Sequence, residues 1–206
     1  MSAVDDSSTP SPDLDDPPLG RPTLIVISGP PGGVGKTTLA HELARAIGCP
    51  AICRDEIKEG MVHATPGFVP GPGDPLTRRT TPVFFDVLEL LLKAGVTVVA
   101  ESAWQDRVWR PGLERLSGLA DIRIIQCTVE PELAHARHLR RAAENAVHWA
   151  AHGGATDLEE RLRIHRTFQP VSLPVPTLHV DTSDGYRPEL AEIVAFVNGE
   201  RDAATA

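Results

Sequence analysis

A chain of 206 residues, 41% hydrophobic and 23% charged, has the make-up of one ordinary globular domain. Its net charge of −8 argues against a nucleic-acid partner, although part of that charge is local: residues 1–20 carry five acids and no base. Three poorly spaced cysteines exclude a disulfide framework, and neither a signal peptide nor a membrane-spanning apolar run is visible, so a reduced, cytoplasmic protein with no membrane attachment is expected.

Residues 1–20 (rich in Ser, Asp and Pro) read as a disordered tail ahead of a single domain over 21–200. Thr23–Ile27 is a short β-branched apolar run, as expected of a strand buried on both faces of a parallel sheet. After a Gly/Pro-rich turn, Leu39, Leu43 and Ile47 repeat at helical spacing until Gly48 and Pro50 stop them. Ala51–Arg54 is a second strand, followed by a short helix from Glu56 to His63. Residues 65–75 hold too many prolines and glycines for regular structure and read as an active-site loop or flap. Thr81 and Pro82 suit the N-cap and first position of a helix whose apolar face is Phe84, Val87, Leu88, Leu91 and Leu92.

Val96–Ala100 is the third strand, Val108–Leu116 a weaker helix, and Ile122–Cys127 the fourth strand. Pro131 opens an Arg/His-rich helix to about residue 152, broken at Gly153-Gly154 and resumed over Asp157–Phe168. Thr177–Val180 is the fifth strand and Pro188–Val197 the closing helix. Strands alternating with helices imply right-handed crossovers, a five-stranded parallel sheet and helices on both faces: a three-layer α/β domain with a helical lid at about 131–168. Ligands of such sheets bind at the carboxyl ends of the strands, where Gly29–Lys36, Asp55, Glu101 and the Cys127–Glu130 turn all fall.

The turn Gly29-Pro-Pro-Gly-Gly-Val-Gly-Lys-Thr-Thr38 has the residues that cradle phosphates. Backbone N–H groups of Gly29, Gly32, Gly33, Val34 and Gly35 line such a loop, and the helix N-terminus adds its positive dipole end. Lys36 reaches the β/γ oxygens, the Thr37 hydroxyl ligates Mg²⁺ and Thr38 reaches the α-phosphate. The usual spacing asks for glycine at position 30, which is Pro30. Either the loop is one residue longer than usual, or Pro30 fills the first slot. A dinucleotide fold does not fit, because Lys36 and Thr37 are the wrong residues and no G-x-G-x-x-G spacing is present. A partition-type ATPase would carry an extra lysine at position 31, which is Pro31.

Asp55, at a strand tip, is placed to accept the proton of a substrate hydroxyl, or else to cap the helix that follows. Glu101, after an apolar strand, suits a carboxylate of the Mg²⁺ shell. Trp104 is either a stacking surface for a substrate ring or ordinary packing. The Thr77–Thr81 cluster either touches substrate or merely starts a helix. Among six arginines over 137–166, Arg137 and Arg141 share a helical face and are the best placed to stabilise charge on a transferred group; the alternative is a solvated face. Histidine pairs at 135/138 and 148/152 have helical ligand spacing without an accompanying carboxylate, which makes a structural zinc site the weaker reading.

Taken together, these residues resemble the small P-loop kinases of the chloramphenicol-phosphotransferase and polynucleotide-kinase type. The resemblance covers about Thr23 to Val197. It rests on the Gly29–Thr38 loop, Arg54-Asp55, the acid after the third strand and Val129-Glu-Pro-Glu-Leu133 leading to Arg137 and Arg141. It implies a P-loop NTPase fold, ATP and Mg²⁺, and phosphorylation of a hydroxyl. Asp55 would be the general base and Val180–Ser183 would line the base pocket. Many relatives carry aspartate where this chain has Glu101.

The expected activity is that of an ATP-dependent small-molecule kinase, with GTP an open alternative donor and an antibiotic-inactivating enzyme one subcase. A 5′-hydroxyl nucleic-acid kinase would need a basic groove, which the near-neutral body lacks. A non-kinase ATPase switch is the third reading. Oligomeric state is not legible.

Overall fold

The computed structural model describes residues 20–71, 73–144, 150–152 and 157–199. Most of the expected acidic tail, His148 and the Gly153-Gly154 break therefore lie outside the described residues. Five strands form one parallel sheet: β1 (Thr23–Ser28), β2 (Ala51–Cys53), β3 (Val98–Glu101), β4 (Asp121–Thr128) and β5 (Thr177–Asp181), in the spatial order β2-β3-β1-β4-β5. Between and after them run α1 (Lys36–Ile47), α2 (Arg54–His63), α3 (Pro75–Lys93), α4 (Asp106–Leu116), α5 (Pro131–Glu144), α6 (Leu158–Arg166) and α7 (Leu190–Val197).

The sheet has a core on each face because a strand's side chains alternate. Ile25 and Ile27 of β1 pack with Leu39, Leu43, Ile125, Ile193 and Phe196 beneath α1 and α7. Leu24 and Val26 face the other way, onto Phe84, Leu88, Trp109 and Leu113 beneath α3 and α4. Register then sets the site: Ile27 pairs with Glu101, Cys53 with Glu101, and Ser28 with Gln126, so all these strand ends open on one edge. Among the described residues no helix is long and apolar enough to cross a membrane.

The third helix departs from the sequence expectation. It starts at Pro75 rather than Pro82, because Asp74 caps it by accepting from the Thr77 N–H at 2.8 Å. Pro82 then lies inside the helix, where it forfeits one backbone hydrogen bond. Buried Thr80 on one side of it and buried Phe84 and Phe85 on the other hold both stretches in a single element. The Thr77–Thr81 cluster is thus the opening of a helix: the Thr77 hydroxyl donates to Asp74 and that of Thr80 to the Leu76 carbonyl.

Asp74 also meets Lys58 of α2 at 2.9 Å, with both side chains almost fully buried, and Phe68 lies 5.7 Å from the same ammonium. The pair and ring tie Phe68 and Asp74 to Lys58 of α2. Burial works to raise the Asp74 carboxyl, but the Lys58 bond and the Thr77 N–H and hydroxyl outweigh it and hold it at about 2. Its stabilisation is therefore complete above the ordinary value of 3.8 and lost as pH falls through about 2. Asp74→Ala, which strands a buried Lys58 charge, should cost about 3–5 kcal/mol. In urea unfolding, Asp74→Asn should be less stable than wild type at pH 7, and that gap should narrow below about pH 4.

Candidate functional site

The phosphate loop runs from Gly29 to Gly35, between the end of β1 and the first residue of α1. Its first glycine is Gly29, where a Cβ would come 2.6 Å from the Cys127 carbonyl of β4. Gly32 and Gly33 both take left-handed φ (75° and 76°), a backbone that favours glycine. Gly33 is confined further, since a Cβ there would strike the backbone carbonyl of Ala134 in α5. Lys36 is 6% exposed and donates to the Pro30 carbonyl at 2.7 Å, folding back over the loop.

Thr37, one position on, donates to Glu101 Oε2 at 3.1 Å, which brings two of the expected residues together across α1 and β3. Glu101 is buried, and burial, opposed by Lys36 and reinforced by Asp55, pushes its carboxyl up to about 7. A buried acid so unfavourably charged, beside a hydroxyl, is a hard-oxygen donor set suited to Mg²⁺. Asp55 lies in the first turn of α2 and is not its cap, because Cys53 occupies that position. The Asp55 carboxylate accepts from Arg54 Nη1 at 2.7 Å. Burial works to raise it, but His152, Arg54 and Lys36 together hold it below the usual range, so it is ionised at neutral pH.

Lys36, Thr37, Asp55 and Glu101 line one cavity of about 200 Å³ with Arg141 and Arg161. Arg137 is elsewhere. It donates to the Ser183 carbonyl at 2.8 Å and borders a larger neighbouring cavity of about 500 Å³ with Thr38, Glu42, Arg141 and Tyr186. Arg137 and Arg141 share a face as expected, yet only Arg141, one turn further along, borders both cavities. Thr182 closes the larger one, its hydroxyl donating to the Val34 carbonyl at 2.7 Å.

Arg161 was legible only as one of six arginines. It is 8% exposed, reaches His138 Nε2 at 2.6 Å and the Pro31 carbonyl at 3.4 Å, and its Nε is buried with no hydrogen-bond partner among the described residues. An orphaned guanidinium nitrogen beside a phosphate loop invites an anion. The one sequence signal was its i,i+4 relation to His165, which puts both on one face of α6. Arg161 engages His138 Nε2, and among the described residues no group of three or more metal-ligating side chains includes His135, His138 or His152. Trp104 is packing: it stacks on Phe85 at 5.6 Å and meets Phe84 edge-on at 5.1 Å.

Residues 24–183 match the AAA_33 family, described as an AAA domain, and the chain belongs to that family of P-loop domains. No curated protein sequence matches it. A structure from Chloroflexus aurantiacus, itself assigned only provisionally as a kinase, aligns with a TM-score of 0.75 at 23% identity, over 87% of this chain and 98% of that one. The APS kinase of Mycobacterium tuberculosis, solved with AMPPNP and APS, aligns at 0.58 and 16% identity over 86% and 98%. The tunicamycin resistance protein of Deinococcus radiodurans aligns at 0.52 and 23% over 87% and 96%. These likenesses establish the α/β P-loop kinase fold.

Gly33→Ala tests how tightly the loop is held. A side chain at left-handed φ costs about 1–2 kcal/mol, and its Cβ must displace α5. Thermal stabilisation by ATP-Mg²⁺ should be lost at concentrations that stabilise wild type, with nucleotide affinity down roughly tenfold.

Proposed function

We propose that this P-loop protein is an ATP-dependent kinase that transfers the γ-phosphoryl group to a hydroxyl of a small molecule. The observation that carries the reading is the single cavity in which an ionised carboxylate, Asp55, faces the phosphate loop and three cationic side chains, Lys36, Arg141 and Arg161. Phosphoryl transfer needs alignment and charge neutralisation more than covalent help, and this cavity supplies both.

In this reading the larger cavity takes the nucleoside, with Arg137 and Thr182 on its wall, and the loop amides from Gly29 to Gly35 hold the phosphates. Thr37 and Glu101 would hold Mg²⁺, which when bound would neutralise phosphate charge. Asp55 accepts a hydrogen bond from the acceptor hydroxyl and then its proton. The new O–P bond forms as the bond from the γ-phosphorus to the β–γ bridging oxygen breaks, and ADP leaves with that electron pair. Lys36 and Arg161 offset negative charge on the transferred group. The likeness to a tunicamycin resistance protein makes an antibiotic one acceptor class to try.

The test is incubation with ATP-Mg²⁺ and a panel of sugars, hydroxylated metabolites, antibiotics and 5′-hydroxyl oligonucleotides, read by mass for an added phosphoryl group. Product should form on a small molecule, and Lys36→Ala and Asp55→Asn should each lower kcat by about 10²-fold or more. Arg161→Ala should also lower kcat, whereas Arg137→Ala should mainly raise the KM for ATP. Undiminished transfer by Asp55→Asn would sink the assigned roles. Turnover of ATP without any phosphorylated acceptor would favour an ATPase switch.

A further inference from the structure

Beside the phosphate cavity, three side chains from three elements converge without a part in phosphoryl transfer. His41 projects from α1, Cys53 ends β2, and Glu56 stands in the first turn of α2. His41 Nε2 lies 2.7 Å from Glu56 Oε1 and 3.8 Å from Cys53 Sγ, and the three donor atoms fall within 4.8 Å of one another.

We propose that His41, Cys53 and Glu56 form a binding site for a transition-metal dication, zinc by its donor set. A thiolate, an imidazole and a carboxylate are ligands that zinc accepts together, while Mg²⁺ disfavours sulfur. The spacing is close to what a tetrahedral ion needs. With bond lengths of about 2.3 Å to sulfur and about 2.0–2.2 Å to nitrogen and oxygen, sulfur and nitrogen sit about 3.6 Å apart and nitrogen and oxygen about 3.4 Å. The Cys53–His41 separation already fits. The His41–Glu56 pair must open by several tenths of an ångström, which a half-exposed glutamate does by turning its own side chain.

Exposure favours capture as well. Cys53 is buried, whereas His41 and Glu56 keep 43% and 47% of their side chains in solvent, so an ion has a path to the thiol. His41 and Glu56 border a pocket shared with Thr37, Thr38, Asp55, Glu59 and Arg141, which leaves room for a water as a fourth ligand. A plain ion pair explains His41 with Glu56 but leaves the thiol aimed at the imidazole without purpose. Burial and the carboxylates of Glu101, Glu56 and Asp55 push the Cys53 thiol up, so the free protein holds it protonated. Binding releases that proton to solvent as the sulfur–metal bond forms. The ion would tie α1 to the strand end immediately before Arg54-Asp55.

The experiment is metal binding by the full chain without nucleotide or acceptor, so that its outcome is independent of the phosphotransfer reading. Wild type dialysed against zinc should retain one ion per chain by elemental analysis, and should keep it in excess Mg²⁺. Cobalt in its place should give a thiolate-to-metal charge-transfer band. Cys53→Ser should abolish that band, and His41→Ala and Glu56→Gln should each weaken affinity roughly 10–100-fold. Glu56→Gln changes a half-exposed side chain, so it reports on binding even if Cys53→Ser folds poorly. Retention no greater than that of a His41→Ala/Cys53→Ser double variant, displacement of the ion by Mg²⁺, or a cobalt complex without the thiolate band would each overturn the proposal.

Discussion

The phosphate loop is fixed from three sides, and the rest of the site is arranged around that restraint. Gly33 lies against the Ala134 carbonyl of α5, and Thr182, just past β5, donates to Val34. Lys36 bends back to Pro30, while Arg161 reaches Pro31 from α6. A loop free to change shape would have to order its amides at the moment of binding; one held this way presents them in advance. The same contacts bring α5 and α6 onto the loop, so the elements expected to form a lid rest on the residues they would cover.

Within that frame the two acids diverge. Both carry a burial cost, but Asp55 has Arg54, His152 and Lys36 to favour its ionised form. Glu101 has Lys36 and the Thr37 hydroxyl on one side of the balance, and two further carboxylates on the other. One acid therefore stays charged without help while the other gains from a cation. Neighbouring carboxylates, one held below the usual range and the other raised to about 7, are a usual sign of divided chemical roles.

Much of this was legible in the chain itself. All five strands fell where apolar β-branched runs placed them, and Gly48 stopped α1 as a left-handed C-cap. Lys36 and Thr37 were named by the glycine-rich motif, and Asp55 and Glu101 by position after a strand, a rule that holds because a parallel sheet puts every carboxyl end on one edge. The start of α3 was not legible: Thr81 and Pro82 suited a helix start, whereas Asp74 caps the helix seven residues earlier and buried Thr80 and Phe84 join the two stretches. Nor could sequence distinguish the arginines. Arg137 and Arg161 belong to different helices, and which one meets the phosphate loop depends on how those helices cross it.

The sequence alone determined that a nucleotide's phosphates have a place here, because a strand, a glycine-rich turn and a helix opening on Lys36-Thr37 are local features set by neighbours in the chain. It also determined the alternation of strands and helices along the chain, since apolar runs and their periods are local too. Only the tertiary structure decided that Trp104 is packing, that Arg161 reaches the loop at Pro31 while Arg137 is held by the Ser183 carbonyl, and that His41 and Glu56 stand beside Cys53. Those facts join residues tens of positions apart, or on separate elements, and such distances follow from how helices dock on the sheet.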